Sequence, residues 1–140
     1  ILLGRVTYEL FSAFWPEQTV ETQGIADELN KTPKVVFSRT LERAPWGGWD
    51  EARVVTASAS EEVRRLKEEP GRDMVVWGSL TLSESLERDG LVDEDRLWVC
   101  PVVLGQGKRL FGETTDKKQL RLSSSTVVGD GVAIQVYTRT

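Results

Sequence analysis

The fold class follows from residues 1–10, which read ILLGRVTYEL. The apolar run from Ile1 to Gly4 is typical of a buried β-strand, and it passes directly into a helical pattern over residues 5–14. The apolar positions of this helical pattern lie four apart on one face: Val6, Leu10 and Phe14. A strand that turns at a glycine straight into a helix is the beginning of a βαβ unit, so we predict an α/β fold.

Short apolar runs and helical patterns alternate along the rest of the chain. We predict strands at 34–38, 53–56, 74–77 and 95–104, helices at 21–30, 58–69 and from 80 onward, and a loop at 40–50. Residues 120–128 and 132–138 flank Gly129-Asp130-Gly131 and predict a C-terminal β-hairpin. Because residues 95–104 are apolar on both faces, we expect this strand to be central. The predicted sheet is mixed and mostly parallel.

The composition excludes several classes of protein. The 140 residues carry a formal net charge of −4, whereas a nucleic-acid-binding protein normally has a basic excess. There is no histidine and one cysteine, Cys100, which excludes a disulfide, a Cys/His metal site and a histidine-dependent catalytic unit. No apolar run approaches the roughly 20 residues of a membrane span. We expect a cytoplasmic protein with no metal, nucleic-acid or membrane partner, in which Cys100 is a small buried hydrophobe.

Three strand-to-helix turns carry residues that suit phosphate groups. In an open α/β sheet the ligand lies beyond the carboxyl ends of the strands, where helix N-termini present free amides. Glycine lets a phosphate approach the backbone, arginine adds a fork of donors, and serine or threonine adds a hydroxyl. The turns are Gly4-Arg5-Val6-Thr7, Ser38-Arg39-Thr40 and Gly78-Ser79-Leu80-Thr81.

Each turn also has a purely structural interpretation, since glycines end many strands and Ser79 could be only a helix N-cap. Their combination is more informative, because all three would fall along one edge of one sheet. A common motif does not compete, since Gly105-Gln106-Gly107 lacks the third glycine of a dinucleotide-binding fingerprint. The turn at Ser38 suits a phosphate monoester such as the 2'-phosphate that separates NADP from NAD. We therefore predict a site for a phosphate-bearing dinucleotide.

Several of these segments resemble a known family. Residues 4–9, GRVTYE, resemble the G-R-x-T-x-E segment of dihydrofolate-reductase-like proteins, and the turns at Ser38 and Gly78 follow in the same order. Residues 101–111, PVVLGQGKRLF, are most similar to the riboflavin-biosynthesis reductase C-terminal domain branch. The resemblance covers essentially the whole chain. It implies one three-layer domain over residues 1–140, with helices on both faces of the sheet, that lacks the family's first strand and following loop.

The resemblance also implies NADPH as the cofactor and assigns roles to the three turns. Phosphate contacts would come from Gly4, Arg5 and Thr7, the 2'-phosphate site from Ser38 and Arg39 beside Thr40, and pyrophosphate contacts from Gly78, Ser79, Leu80 and Thr81. Many members of the family have two or three successive glycines at this last turn. This chain has Gly78-Ser79-Leu80 there, which departs from the family pattern.

Fewer residues point to the substrate. Trp15, Pro101, Val103 and Gly105 are predicted to border the substrate pocket, and Trp15 could equally belong to the core. Hydride transfer needs a positioned acceptor and no nucleophile, so no catalytic residue is predicted. The chain opens on an apolar run without an initiator Met, and we expect an N-terminal segment to precede it.

Two functions stay open at this point. The first is an NADPH-dependent reductase acting on a small heterocyclic substrate, with pyrimidine reduction in riboflavin synthesis as one specific case. The alternative is a non-catalytic nucleotide-binding or homo-oligomeric interaction domain, which the altered turn after Gly78 supports. Five tryptophans are available for an interface, Trp98 among them, and we expect a homodimer.

Overall fold

The computed structural model describes residues 1–112 and 117–140. It divides into two compact units, Ile1–Leu86 and Glu87–Thr140, and each is described by itself. None of the described helices is long and apolar enough to cross a membrane. The assignment of residues 1–140 to one domain stays a prediction.

The described elements follow one another in a mixed α/β order, which confirms the predicted fold class. They are β1 (Leu2–Gly4), α1 (Arg5–Ser12), a 3₁₀ turn (Trp15–Glu17), α2 (Ala26–Lys31), β2 (Val35–Phe37), β3 (Ala44–Trp46), β4 (Trp49–Val55), α3 (Ala59–Glu68), α4 (Leu80–Arg88), β5 (Glu94–Val99), β6 (Leu120–Val128) and β7 (Val132–Arg139).

The first unit contains a four-stranded sheet in the order β1-β2-β4-β3. Strands β1, β2 and β4 are parallel, and β3 joins β4 as an antiparallel edge strand. The predicted strand at 74–77 forms only one parallel bridge, from Val76 to Leu2, beside a backbone hydrogen bond of 2.8 Å from the Leu2 amide to the Val75 carbonyl. The parallel pairing of β1, β2 and β4 is therefore as predicted, whereas the strand predicted at 74–77 is reduced to an isolated bridge.

The predicted loop at 40–50 is wrong, because most of it forms the β3–β4 hairpin. The hairpin turns at Gly47, whose φ of +57° suits glycine. Pro45 is compatible with β3 because an edge strand has amides that need no partner in the sheet. Trp46 is fully buried, and its indole Nε1–H donates to Asn30 Oδ1 at 2.7 Å. Tertiary burial of Trp46 thus overrides the turn-like composition of this segment.

Helix α1 packs on the sheet through a different face from the one its spacing predicts. Tyr8 is buried, and its hydroxyl donates to the Pro45 carbonyl at 2.7 Å. The predicted apolar face is instead exposed, at 60% for Val6, 67% for Leu10 and 44% for Phe14. The hydrogen bond to the hairpin and the large area of the tyrosine ring together select the buried face.

A buried lysine closes the end of helix α2. Lys34 is 5% exposed, and its Nζ donates to the carbonyls of Asn30 at 2.8 Å and Thr32 at 2.6 Å. The ammonium also lies 4.5 Å from the centroid of the Trp46 ring. Burial lowers the pKa of Lys34 to about 8, and the charge of Asp50 opposes this shift. Lys34 therefore satisfies helix-end carbonyls at the cost of a desolvated charge.

We expect Lys34→Met to lower the free energy of unfolding by about 2 kcal/mol at neutral pH, because two carbonyls lose their donor. The folded protein binds its Lys34 proton more weakly than the unfolded chain does, so wild-type stability rises as the pH rises from about 8 toward the ordinary lysine value. The loss caused by the substitution should therefore grow over that window in urea titrations. Lys31→Met, which removes an exposed pair with Asp27, is the control and should show a small effect without this pH trend.

The second unit contains a three-stranded antiparallel sheet in the order β5-β7-β6. The predicted C-terminal hairpin is confirmed, with Gly129 at φ +50° and Gly131 at φ +105° in its turn. The prediction for 95–104 is wrong in two respects: β5 is an edge strand, and it ends at Val99. Pro101, which has no amide proton, follows closely after that end.

An arginine joins two carboxylates in this unit. Arg139 forms ion pairs with Glu87 and with Asp95, the latter at 2.9 Å, and its Nε donates to the Val92 carbonyl at 2.9 Å. Both acidic side chains are largely buried. Burial, followed by the charge of Asp95, raises the pKa of Glu87. Within the second unit, the cluster joins Glu87 to residues of β5 and β7.

Candidate functional site

The first two predicted turns lie side by side at one edge of the four-stranded sheet. The parallel strands end in register, since Gly4 pairs with Phe37 and Phe37 pairs with Val55. The amide of Ser38 continues the ladder by donating to the Val55 carbonyl at 3.1 Å. The carboxyl ends of β1, β2 and β4 therefore form one continuous edge, which is where open α/β sheets bind their ligands.

The first and third turns contact each other directly. The Gly4 amide donates to Ser79 Oγ at 2.9 Å, and the Ser79 amide donates to Thr7 Oγ1 at 3.1 Å. A Cβ added to Gly4 would lie 3.6 Å from Ser79 Oγ. We name this reciprocal pair the Gly4–Ser79 junction, comprising Gly4, Thr7 and Ser79. All three predicted turns are thus brought to one edge, as their order along the chain indicates.

The backbone of the third turn is left-handed at two successive residues. Gly78 has φ +62° and Ser79 has φ +50°, and Ser79 is the one non-glycine residue with positive φ among those described. This conformation costs a serine on the order of 1 kcal/mol and persists where its surroundings fix it. Here the junction supplies that constraint. Helix α4 begins immediately afterwards, with Leu80 half-buried and Thr81 exposed.

Two arginines flank this edge. Arg5 opens helix α1 and pairs with Glu9 at 2.7 Å in an exposed ion pair that a stronger anion could displace. Arg39 is exposed, and within residues 1–112 and 117–140 its guanidinium takes part in no ion pair. Ser38 Oγ accepts the amides of Thr40 at 3.2 Å and Leu41 at 3.1 Å, so its hydroxyl shapes the turn that presents Arg39.

An open depression of about 300 Å³ adjoins the second turn. Its lining residues come from the ends of β2 and β4 and from the start of α3: Phe37, Ser38, Arg39, Val55, Thr56, Ala57, Ser58 and Ala59. Ser58 Oγ accepts the Glu61 amide at 3.5 Å and caps α3. The site predicted from the sequence did not include residues 56–59. Their position directly after a strand neighbouring β2 is the signal that could have identified them.

The predicted substrate residues belong to different parts of the chain. Trp15 packs against the core of the first unit, with Phe11 and Phe14 at ring-centroid distances of 6.1 and 5.3 Å. Pro101, Val103 and Gly105 lie in the second unit and are all exposed. The core interpretation thus applies to Trp15, and the pocket itself stays a prediction. Cys100 is exposed and lies beyond β5, which corrects the buried position predicted for it.

A comparison with protein families identifies the fold just described. Residues 1–134 match the RibD C-terminal domain. The chain belongs to the RibD C-terminal domain family. Two relatives from Bacillus subtilis (strain 168) agree with this. The uncharacterized protein YyaP is 34% identical over 98% of this chain and 72% of its own length. The uncharacterized protein YwjB is 36% identical over 99% of this chain and 72% of its own length.

A solved structure supports the fold of this RibD C-terminal domain. It is the crystal structure of a protein from Shewanella sp. PV-4 that is named as a riboflavin biosynthesis protein. The match has a TM-score of 0.77 and 22% sequence identity, and it covers 99% of this chain and 72% of the Shewanella chain. At this identity the likeness concerns the fold alone, which is the mixed α/β fold predicted from the sequence.

Proposed function

We propose that this RibD C-terminal domain is an NADPH-dependent reductase that transfers a hydride to a small heterocyclic substrate, such as a pyrimidine of riboflavin synthesis. The observation that carries the proposal is the Gly4–Ser79 junction. It joins two strand-to-helix turns that lie near the two ends of the first unit's sequence, and it holds Ser79 in a strained left-handed conformation. Backbone strain of this kind concentrates at ligand-binding sites.

Different residues at this edge fit the separate phosphate groups of a dinucleotide. Gly78 and the start of α4 would hold the pyrophosphate, because helix N-termini offer backbone donors to anions. Arg39, which is exposed and takes part in no ion pair among the described residues, would hold the 2'-phosphate beside the 300 Å³ depression. When bound, NADPH supplies the hydride. The protein's share is to bind and orient the cofactor so that the reacting atoms are held close.

We expect NADPH to bind at least tenfold more tightly than NADH, about 1.4 kcal/mol, and Arg39→Ala to remove this difference. The reason is that the 2'-phosphate is the only group that distinguishes the two cofactors. Isothermal titration calorimetry with both dinucleotides measures it. Arg43→Ala is the matched control, because Arg43 is an exposed arginine already paired with Glu51 at 2.6 Å. Equal wild-type affinities for NADPH and NADH would reject the 2'-phosphate assignment.

A second candidate function is a nucleotide-binding domain without catalysis. The observation that favours it is Ser79, whose hydroxyl accepts the Gly4 amide at 2.9 Å and so takes up a donor predicted for a phosphate. Tight NADPH binding without oxidation of the cofactor in the presence of flavin-pathway pyrimidines would favour this candidate. The homodimer likewise stays a prediction, and light scattering in solution tests it.

A further inference from the structure

The Ser79 hydroxyl accepts a hydrogen bond from the Gly4 amide, one of the groups predicted to contact a cofactor phosphate. Gly4 precedes the first residue of helix α1, and its amide points to Ser79 Oγ at 2.9 Å, across 75 positions of sequence. The hydroxyl also lies 3.5 Å from the Trp77 carbonyl, to which it donates. Ser79 Oγ thus acts as acceptor and donor at once, and it does so from a conformation that disfavours any residue with a Cβ.

We propose that the Ser79 hydroxyl competes with a dinucleotide phosphate for the Gly4 amide. The competition makes dinucleotide binding weaker than the backbone donors alone would allow. This inference rests on the proposed function. A helix-start amide is normally satisfied by a local side chain, by water or by a ligand, and here a distant neutral hydroxyl takes that place. A charged phosphate oxygen forms a stronger hydrogen bond to the same amide and would displace it.

The expected size of the effect follows from the bond that must break. A neutral hydrogen bond of this kind changes an equilibrium by about three- to tenfold. Removing the hydroxyl should therefore tighten dinucleotide binding by about that factor. Because the pyrophosphate is common to both cofactors, NADPH and NADH should gain equally, and the ratio of their affinities should stay as in the wild type. This separates the role of Ser79 from that of Arg39, which acts on the ratio.

Two variants distinguish the hydroxyl from the backbone strain. Ser79→Ala removes the hydroxyl and keeps the Cβ in the left-handed conformation, whereas Ser79→Gly removes both. Calorimetric titration with NADPH and NADH should show about three- to tenfold tighter binding in both variants. Without ligand, the Gly4 amide should exchange its hydrogen faster in both. Ser85→Ala, on the same helix α4, is the control and should bind as the wild type does.

Three results would overturn the proposal. Weaker or unchanged binding in Ser79→Ala would show that the hydroxyl is a phosphate ligand or a bystander. Tighter binding in Ser79→Gly alone would assign the effect to backbone strain. If neither cofactor binds the wild type or either variant, the proposed function fails and this inference fails with it. The first two results, by contrast, reject this inference alone and leave the proposed function standing. Thermal melts of both variants confirm that they are folded.

Discussion

Gly78→Val is expected to reduce dinucleotide affinity at least 100-fold, about 2.7 kcal/mol, while the core of the first unit stays folded. The φ of Gly78 is +62°, a conformation that a β-branched residue rarely adopts. A Cβ there would also lie 3.5 Å from Thr7 Cγ2, so the larger side chain would press on the Gly4–Ser79 junction. The backbone can relieve the unfavourable φ or the contact with Thr7 only by shifting, and either shift moves the amides that we propose for the pyrophosphate. Calorimetry with NADPH measures the loss.

Gly90→Val provides the matched control for this substitution. Gly90 has φ +69° near the C-terminal end of the same helix α4, and no atom lies within 4 Å of where its Cβ would be. The two variants therefore carry a similar backbone penalty, and only one of them disturbs the proposed site. Gly90→Val should lose stability and keep its affinity for NADPH. An equal loss of affinity in both variants would reject the pyrophosphate assignment.

Arg139→Met is expected to lower the free energy of unfolding by about 3 kcal/mol near pH 7.5, the largest effect on stability that we predict. The substitution leaves Glu87 and Asp95 close together and largely buried without the guanidinium that pairs with both, while Lys118 still lies 3.5 Å from Glu87. The methionine fills much of the space of the arginine stem, so the loss reports mainly on charge. Urea denaturation followed by circular dichroism measures it.

The effect of Arg139→Met should depend on pH. Burial already raises the pKa of Glu87, and removal of Arg139 raises it further because that arginine opposes the shift. A carboxyl whose pKa is raised by folding destabilises the protein as the pH rises through that pKa, so acid should restore stability to the variant. The defect should shrink at about pH 5 and in the double variant with Glu87→Gln. Arg96→Met, which removes an exposed pair with Glu94, should cost little at either pH. A pH-independent loss would contradict the charge argument.

Local sequence signals predicted the parts of the fold that local physics decides. The helix predicted at 58–69 is present as α3, and Ser58 caps it by accepting the Glu61 amide. Gly129 and Gly131 indicated the C-terminal hairpin, and both have positive φ. The edge that carries the three turns was also predictable, since parallel strands place their carboxyl ends together.

The predictions from the sequence are wrong where contacts between distant residues determine the local structure. The spacing of Val6, Leu10 and Phe14 favoured one face of α1, but the hydrogen bond from Tyr8 to Pro45 turns another face toward the core. The composition of 40–50 favoured a loop, but the burial of Trp46 makes it a hairpin. The Gly4–Ser79 junction could be placed at the right edge from the sequence. The two hydrogen bonds in which a hydroxyl of each turn accepts an amide of the other could not be predicted, because they depend on side-chain rotamers.

The Gly4–Ser79 junction also has a consequence for folding kinetics. It joins residues 75 positions apart, and because closing so long a loop is entropically costly, we expect its two turns to meet late in folding. A contact that forms late affects the rate of unfolding more than the rate of folding. A ligand held across the two turns would therefore protect the protein by lengthening the lifetime of its native state, without hastening its formation.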